Sequence, residues 1–244
     1  MKILIVGYGF VGTATHYLFE RTDATIYIHD PAKGYTNVGG HYDYIFLCVP
    51  TDLDLCNQKL NINLLRDVFN EWKHSGQIVI RSTIGPNQVE KFPGAIMMPE
   101  FLRENHWKED VDDPELPLIV SDKDFSIELH QMFSEKKVYC LSAEESMMFK
   151  LARNSALAMK VAVANEFAEI CNRLDIDYTA IQNMLEDDPA VGGTHWQCPG
   201  PDGRVGFGGK CLPKDLTHMK SLCYNSDNIF KTALVVNANR RKSE

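Results

Sequence analysis

The run Gly206-Phe-Gly-Gly-Lys-Cys-Leu-Pro-Lys-Asp215 places one cysteine among groups that could put it to work. Lys210 and Lys214 flank Cys211 with positive charge, which favours the nucleophilic thiolate over the thiol. Gly208 and Gly209 carry no β-carbon, so a ligand or another stretch of backbone can come close there. Pro213 stiffens the turn, and Asp215 follows the cysteine by four positions. A thiolate, a carboxylate and an open approach are the parts of covalent catalysis. Taken alone, the same run also describes a tight turn around a buried structural thiol.

A second pair of candidates lies upstream. Ser142-Ala-Glu-Glu145 reads as a capping box that opens a long helix running to about Leu174. Lys150 and Asn154 are four apart on it and share a face, where a cation and an amide can donate to an oxyanion. The alternative for both is a solvated helix face. Small residues along this helix (Ala152, Ala156, Ala158, Ala162, Ala164) suit close packing against another helix, including one from a second copy. A further helix is expected over Tyr178–Glu186. A Gly/Pro-rich loop from Asp187 to Gly209 then leads to Cys211, and helices follow from Asp215 and from about Asn228 to Arg241.

The elements that must position a cofactor come first in the chain. Lys2–Val6 is a continuous apolar run, as a buried parallel strand requires. Gly7-Tyr-Gly-Phe-Val-Gly12 follows, with a helical pattern through Phe19. A bare G-x-G-x-x-G is a weak signal, but strand before and helix after are its dinucleotide-binding context. In that reading Gly7 makes the turn, Gly9 admits the pyrophosphate, and Gly12 lets helix and strand pack. Tyr8, Phe10 and Val11 complete the loop and the first helical turn, whose free N–H groups attract phosphate. The next strand, Thr25–His29, ends at Asp30, 18 positions past Gly12 and near the roughly 20 expected for the acid that holds the adenosine ribose. Asp30 would repel a 2′-phosphate and so favours NAD; Lys33 is the one residue that softens this preference.

Pro31 to His41, with Gly34, Gly39 and Gly40, reads as a loop where a full dinucleotide fold has another helix and strand, so the sheet is expected to be shortened on that edge. Further strands are expected at Tyr44–Val49, Ile78–Arg81, Ala95–Met98, Leu118–Val120 and Val138–Leu141, with helices over Asn63–Lys73 and Asp124–Phe133. Ligands in open α/β sheets lie outside the carboxyl ends of the strands. Val49-Pro50-Thr51, Arg81-Ser-Thr83-Ile84 and Pro99-Glu100-Phe101-Leu102-Arg-Glu104 all fall at such ends, so Thr83, Glu100 and Glu104 border one crevice.

The formal net charge of −8 argues against a nucleic-acid partner. No apolar run is long enough to cross a membrane, and Met1–Gly7 is too short and strand-like for a signal peptide. Seven cysteines without a C-x-x-C, and eight histidines without ligand spacing, predict free thiols, a reducing cytoplasm and no metal site.

These motifs occur in one order, with Phe149-Lys-Leu and Asn165-Glu166 between them, and in that order the chain resembles the UDP-glucose/GDP-mannose dehydrogenase family, nearest its UDP-glucose 6-dehydrogenase branch. The resemblance implies oxidation of the C6 alcohol of a nucleotide sugar to a carboxylate, as from UDP-glucose to UDP-glucuronate, with two NAD⁺. It implies that Cys211 holds the intermediate as a thiohemiacetal and then a thioester. Lys150 and Asn154 match the residues that steady the oxyanion, Asp215 and Thr83 those that order the water, and Glu104 the general base. Pro50, Thr51, Thr83, Glu100 and Lys214 match the cofactor side. Phe101, Leu102, Phe207 and Gly208 fall where the family cradles the sugar, together with Glu104, Lys150, Asn154 and Cys211. A homodimer through the long helix is implied as well.

Two departures stand out. The family's C-terminal nucleotide-binding domain is not represented, so a short form is expected. Asp188-Pro-Ala-Val-Gly192 lies where many relatives carry an arginine near the Ala190 position. The expected fold is α/β: a shortened Rossmann-like parallel sheet over residues 1–141 that binds NAD, then an all-α dimerisation domain over residues 142–244 that carries the cysteine loop. The competing readings are an NAD-binding dimeric module without dehydrogenase activity and a two-electron 3-hydroxyacid-type dehydrogenase, the latter disfavoured by Cys211.

Overall fold

The computed structural model describes residues 1–36, 38–54, 56 and 58–242, so Ser243 and Glu244 of the expected second domain lie outside the described residues. The chain divides into two compact units, one made of Met1–Asp52 and Leu60–Lys150, the other of Leu53–Lys59 and Leu151–Glu244.

The first unit is built on β1 (Lys2–Val6), α1 (Phe10–Phe19), β2 (Thr25–His29) and β3 (Tyr44–Leu47). A short hairpin, β4 (Leu53–Asp54) and β5 (Lys59–Leu60), interrupts it. It resumes with α2 (Asn63–Trp72), β6 (Gln77–Ile80), β7 (Ile96–Met97), α3 (Trp107–Asp112), β8 (Leu118–Val120), α4 (Lys123–Met132) and β9 (Val138–Cys140). Five strands form one sheet in the order β2-β1-β3-β6-β7, and all its pairings are parallel. β2 is the edge strand, as the short Asp30-to-Tyr44 connection requires. Among its described residues that connection holds a turn of 3₁₀ helix at Pro31–Lys33 and a bridge between Asp30 and Tyr35. β8 and β9 pair in parallel with each other, and the Ser121 N–H reaches the Met97 carbonyl at 3.0 Å.

The apolar strand runs bury both faces. Leu4, Val6, Ile45, Leu47, Ile78 and Ile80 pack on one side with Leu65, Phe69 and Trp72 of α2. Ile3, Ile5, Phe46 and Val79 pack on the other with Leu18 and Phe19 of α1 and Phe125 and Leu129 of α4. The alternation is the two-residue period of a strand covered on both sides. Register places Val6 beside His29 and Leu47, Leu47 beside Ile80, and Ile80 beside Met97. The loops after these residues therefore leave from one edge.

From Leu151 on, the elements of the second unit are helices. α5 (Ala143–Arg173) is one continuous helix. It opens on the expected capping box: the Glu145 N–H donates to Ser142 Oγ at 3.2 Å, and the Ser142 N–H to Glu145 Oε2 at 2.8 Å. α6 (Tyr178–Asp187), α7 (Leu212–Leu222) and α8 (Ile229–Lys242) follow. Its core gathers Ala158, Phe207, Leu216 and Ala233. α7 starts three residues before the expected Asp215, with Cys211 as its N-cap residue and Pro213 in its first turn. Proline is tolerated there because that N–H has no intrahelical acceptor. No helix among the described residues is long and apolar enough to cross a membrane.

Candidate active site

The first unit carries the glycine turn. Gly7 adopts φ +86°, a conformation that favours glycine. A β-carbon at Gly12 would lie 2.1 Å from the Gly7 carbonyl oxygen, whereas at Gly9 nothing lies within 4 Å. The turn is thus closed by backbone at Gly12 and open at Gly9. Gly9 caps α1 without a side-chain hydrogen bond, and the first turn carries no acid, so its N–H groups suit an anion. Asp30 accepts the Tyr8 N–H at 2.8 Å through Oδ2. Lys33 Nζ donates to the Tyr8 carbonyl at 2.6 Å, which ties it to the turn. An open glycine, uncapped N–H groups and a carboxylate at the end of β2 together fit a dinucleotide.

The strand-end segments are cross-braced. Thr51 Oγ1 donates to the Thr83 carbonyl at 2.6 Å, and Ser82 Oγ to the Val49 carbonyl at 2.6 Å. Thr51 and Thr83 are buried and Pro50 is exposed. After β7, Glu100 is buried against Lys150, which is also buried. Lys150 Nζ donates to both Glu100 Oε1 and the Glu100 carbonyl at 2.6 Å. The Leu102 N–H donates to Glu100 Oε2, also at 2.6 Å. Burial pushes the Glu100 carboxyl up, but Lys150, the Leu102 N–H and Arg81 outweigh it and hold the group below its ordinary value. Phe101 is buried with its ring 5.8 Å from Lys150 Nζ. Glu104 is exposed; its neighbour Arg103 is held by Asp110 at 2.6 Å.

Sequence reasoning passed over Arg81. It is buried, and its Nε and Nη1 make no hydrogen bond among the described residues. Burial lowers its pKa, while Cys48 and Glu100 work against that.

The second unit carries the cysteine. Cys211 stands at the N-terminus of α7, a position that favours negative charge. One turn on, Asp215 is buried and accepts from Asn154 Nδ2 at 2.6 Å. Lys214 Nζ lies 3.7 Å from Asp215 Oδ1. Phe207 is buried, and both polar groups of its backbone are bonded to Asn237. A β-carbon at Gly208 would lie 2.4 Å from Arg241 Nη2, whereas at Gly209 nothing lies within 4 Å. The close approach permitted by Gly208 is therefore made by the protein itself, and the open position is Gly209. His218, also passed over, is fully buried on α7; burial lowers its pKa to about 4, against the pull of Asp215.

Each set can do part of a reaction. Lys150 has three N–H donors and Asn154 two. The bonds above leave each side chain one N–H for a ligand oxygen. The first unit offers a dinucleotide turn, and the second a thiol at a helix N-terminus with a carboxylate-oriented amide.

Comparison with known proteins bears out the resemblance read in the motifs. Residues 144–239 match the model of the UDP-glucose/GDP-mannose dehydrogenase family, central domain. A UDP-glucose 6-dehydrogenase of Bacillus subtilis, TuaD, is 33% identical over 137 residues, which cover 54% of this chain and 28% of that relative. A UDP-glucose 6-dehydrogenase of Rickettsia conorii is 28% identical, over 78% of this chain and 47% of the relative. The chain thus spans less than half the length of these curated relatives. Among solved structures, a UDP-glucose dehydrogenase from Pyrobaculum islandicum superposes with a TM-score of 0.77 at 20% identity, covering 98% of this chain and 68% of the other, a likeness of fold.

Proposed function

We propose that this chain, which carries the central domain of the UDP-glucose/GDP-mannose dehydrogenases at residues 144–239, oxidises the C6 alcohol of a nucleotide sugar to the carboxylate with NAD⁺. The carrying observation is Cys211 at the N-terminus of α7, one turn before an Asp215 that holds the Asn154 amide. When bound, NAD⁺ accepts the hydride in each of the two oxidation steps. Gly7, Gly9 and Gly12, with Tyr8, Phe10 and Val11, hold its pyrophosphate at the α1 N-terminus, and Asp30 its ribose. Pro50, Thr51, Thr83 and Lys214 complete the cofactor side.

In this reading the Cys211 thiolate adds to the carbon of the C6 aldehyde, forming a C–S bond and a thiohemiacetal oxyanion. The spare N–H groups of Lys150 and Asn154 stabilise that oxyanion. Loss of the C6 hydrogen as hydride leaves a thioester. Water then adds, the C–S bond breaks, the thiol regains its proton and the carboxylate leaves. Glu100, buried beside Lys150, and exposed Glu104 are the two candidates for the base that takes the proton of this water, with Thr83 and Asp215 ordering it. Exposed Phe167, Ile170, Leu174 and Met184 on α5 and α6 and the bend between them support a homodimer through this face. The seven free thiols support a cytoplasmic setting.

The test mixes the protein with NAD⁺ and UDP-glucose and follows NADH. Two NADH per sugar, lost in Cys211→Ser, is the expected result. Whichever of Glu100→Gln and Glu104→Gln accumulates the thioester then identifies the base. One NADH per substrate, or full turnover by Cys211→Ser, overturns the covalent route and points to a two-electron dehydrogenase.

A further inference from the structure

The loop that leads into Cys211 is fixed by residues far from it in sequence. Asn237 of α8 is buried and meets both polar groups of one residue: its Oδ1 accepts the Phe207 N–H at 2.7 Å, and its Nδ2 donates to the Phe207 carbonyl at 3.0 Å. A side-chain amide bonded in this two-sided way fixes both the position and the orientation of the backbone it grips. Asn165 of α5 accepts the Gly206 N–H at 2.8 Å through Oδ1, and its own Nδ2 is anchored on the Val161 carbonyl at 2.6 Å. Arg241, one turn beyond Asn237, donates to the Gly206 carbonyl at 2.8 Å and to Asp202 at 2.9 Å.

The glycines make this grip possible. A β-carbon at Gly206 would lie 2.5 Å from Asn237 Oδ1. Gly206 and Gly209 both hold positive φ, +89° and +74°, in a segment that would sample many conformations if released. The Phe207 N–H and carbonyl are both engaged by Asn237, so this residue has no N–H left to donate to a ligand.

We infer that Asn237 is a positioning residue for Cys211, acting through the Phe207 peptide, with Asn165 and Arg241 holding the preceding Gly206 by its N–H and carbonyl. The inference rests on the proposed role of Cys211. It makes α8 part of the reactive machinery: the helix sets where the thiol stands when the aldehyde arrives. A displacement of about 1 Å in such a group costs on the order of 100-fold in rate.

The test compares Asn237→Ala, Asn237→Leu and Asn237→Asp with wild type, by steady-state kinetics with NAD⁺ and UDP-glucose and by peptide-resolved hydrogen exchange. Leucine keeps the shape without the amide. Aspartate keeps the acceptor for the Phe207 N–H but loses the donor to its carbonyl. The expected result is a fall in kcat of about 100-fold for Ala and Leu and an intermediate fall for Asp, with the KM for NAD⁺ changed by less than about two-fold. Exchange should quicken in the loop peptide spanning 204–210 and stay unchanged in α5 and α7. A wild-type kcat in Asn237→Ala overturns the inference. So does equal damage to kcat and to the NAD⁺ KM, or unchanged loop exchange, because neither marks positioning of the loop. If the wild type oxidises no nucleotide sugar, the reading of Cys211 fails by itself. The exchange comparison then still decides whether Asn237 holds the loop.

Discussion

Two glycine-rich turns in this chain are held in different ways. At Gly7–Gly12 the Asp30 and Lys33 side chains hold Tyr8, but the glycines themselves are restrained by backbone. The Gly7 N–H donates to the His29 carbonyl, the Thr13 N–H to the Gly9 carbonyl, and the missing β-carbons of Gly7 and Gly12 make room for carbonyl groups. At Gly206–Gly209 the restraints are largely side chains, from Asn165, Asn237 and Arg241. Each turn leaves one glycine facing open space, Gly9 in the first and Gly209 in the second. A turn closed by backbone has little room to adjust. A turn closed by long side chains can yield.

Gly12→Ala probes the first case and should have the largest effect. Its β-carbon meets the carbonyl of Gly7, a residue whose N–H is bonded to His29 of the edge strand, at 2.1 Å, so strand or helix must move. The expected loss is about 4 kcal/mol or more, at the top of the range for a single substitution. Thermal unfolding and NAD⁺ titration measure it. A variant that melts like wild type and binds NAD⁺ as tightly would show that this turn is as adjustable as the second.

The two units also bury ionisable groups differently, and pH separates them. In the first, Glu100 stays charged because Lys150 and its other donors outweigh burial. Its folded pKa is depressed, so its contribution is present above the unfolded value of 4.5 and lost as pH falls through the lower folded value. In the second, His218 stays neutral, its pKa lowered from 6.5 to about 4 in an environment that includes Asp215, Lys214 and Lys59. The unfolded chain therefore binds the extra proton first. Stability is complete above about pH 6.5 and is lost as pH falls toward 4, by roughly 3 kcal/mol. Urea unfolding at pH 7 and pH 4 should show His218→Leu losing less stability than wild type by about that amount. Equal losses would mean that His218 is not the group responsible.

The same contrast explains what could be read in the sequence. The five-stranded sheet was legible because buried parallel strands are continuous apolar runs, and the first turn because its geometry is closed by neighbouring backbone. The hairpin Leu53–Asp54 and Lys59–Leu60 has two-residue strands, too short to show a period. α3 is a six-residue helix that includes Asp110, the partner of Arg103, and no amphipathic repeat announces it. Pro213 read as a stiff turn and proved to be in the first turn of α7, which moves Cys211 from a loop to a helix N-terminus. Lys150 and Asn154 were legible at helical spacing. Their partners were not, because Glu100 and Asp215 lie 50 and 61 positions away. Asn237, 30 positions from Phe207, gives only the faint signal of an amide in an apolar helical stretch.

Gly208→Ala probes the second turn and should have the smallest effect on stability. The added β-carbon would meet Arg241 Nη2 at 2.4 Å, a contact nominally almost as severe as that at Gly12. Here the obstacle is the end of a flexible side chain. Arg241 can swing aside at the loss of its hydrogen bond to the Gly206 carbonyl and its exposed pair with Asp202. Together these are worth about 2 kcal/mol. The protein should therefore fold, with a small drop in melting temperature and unchanged NAD⁺ binding. Turnover should suffer more than stability, because the departing guanidinium frees the backbone just before Cys211. A loss of stability as large as that in Gly12→Ala would show that Arg241 cannot yield, and that both turns are rigid by the same measure.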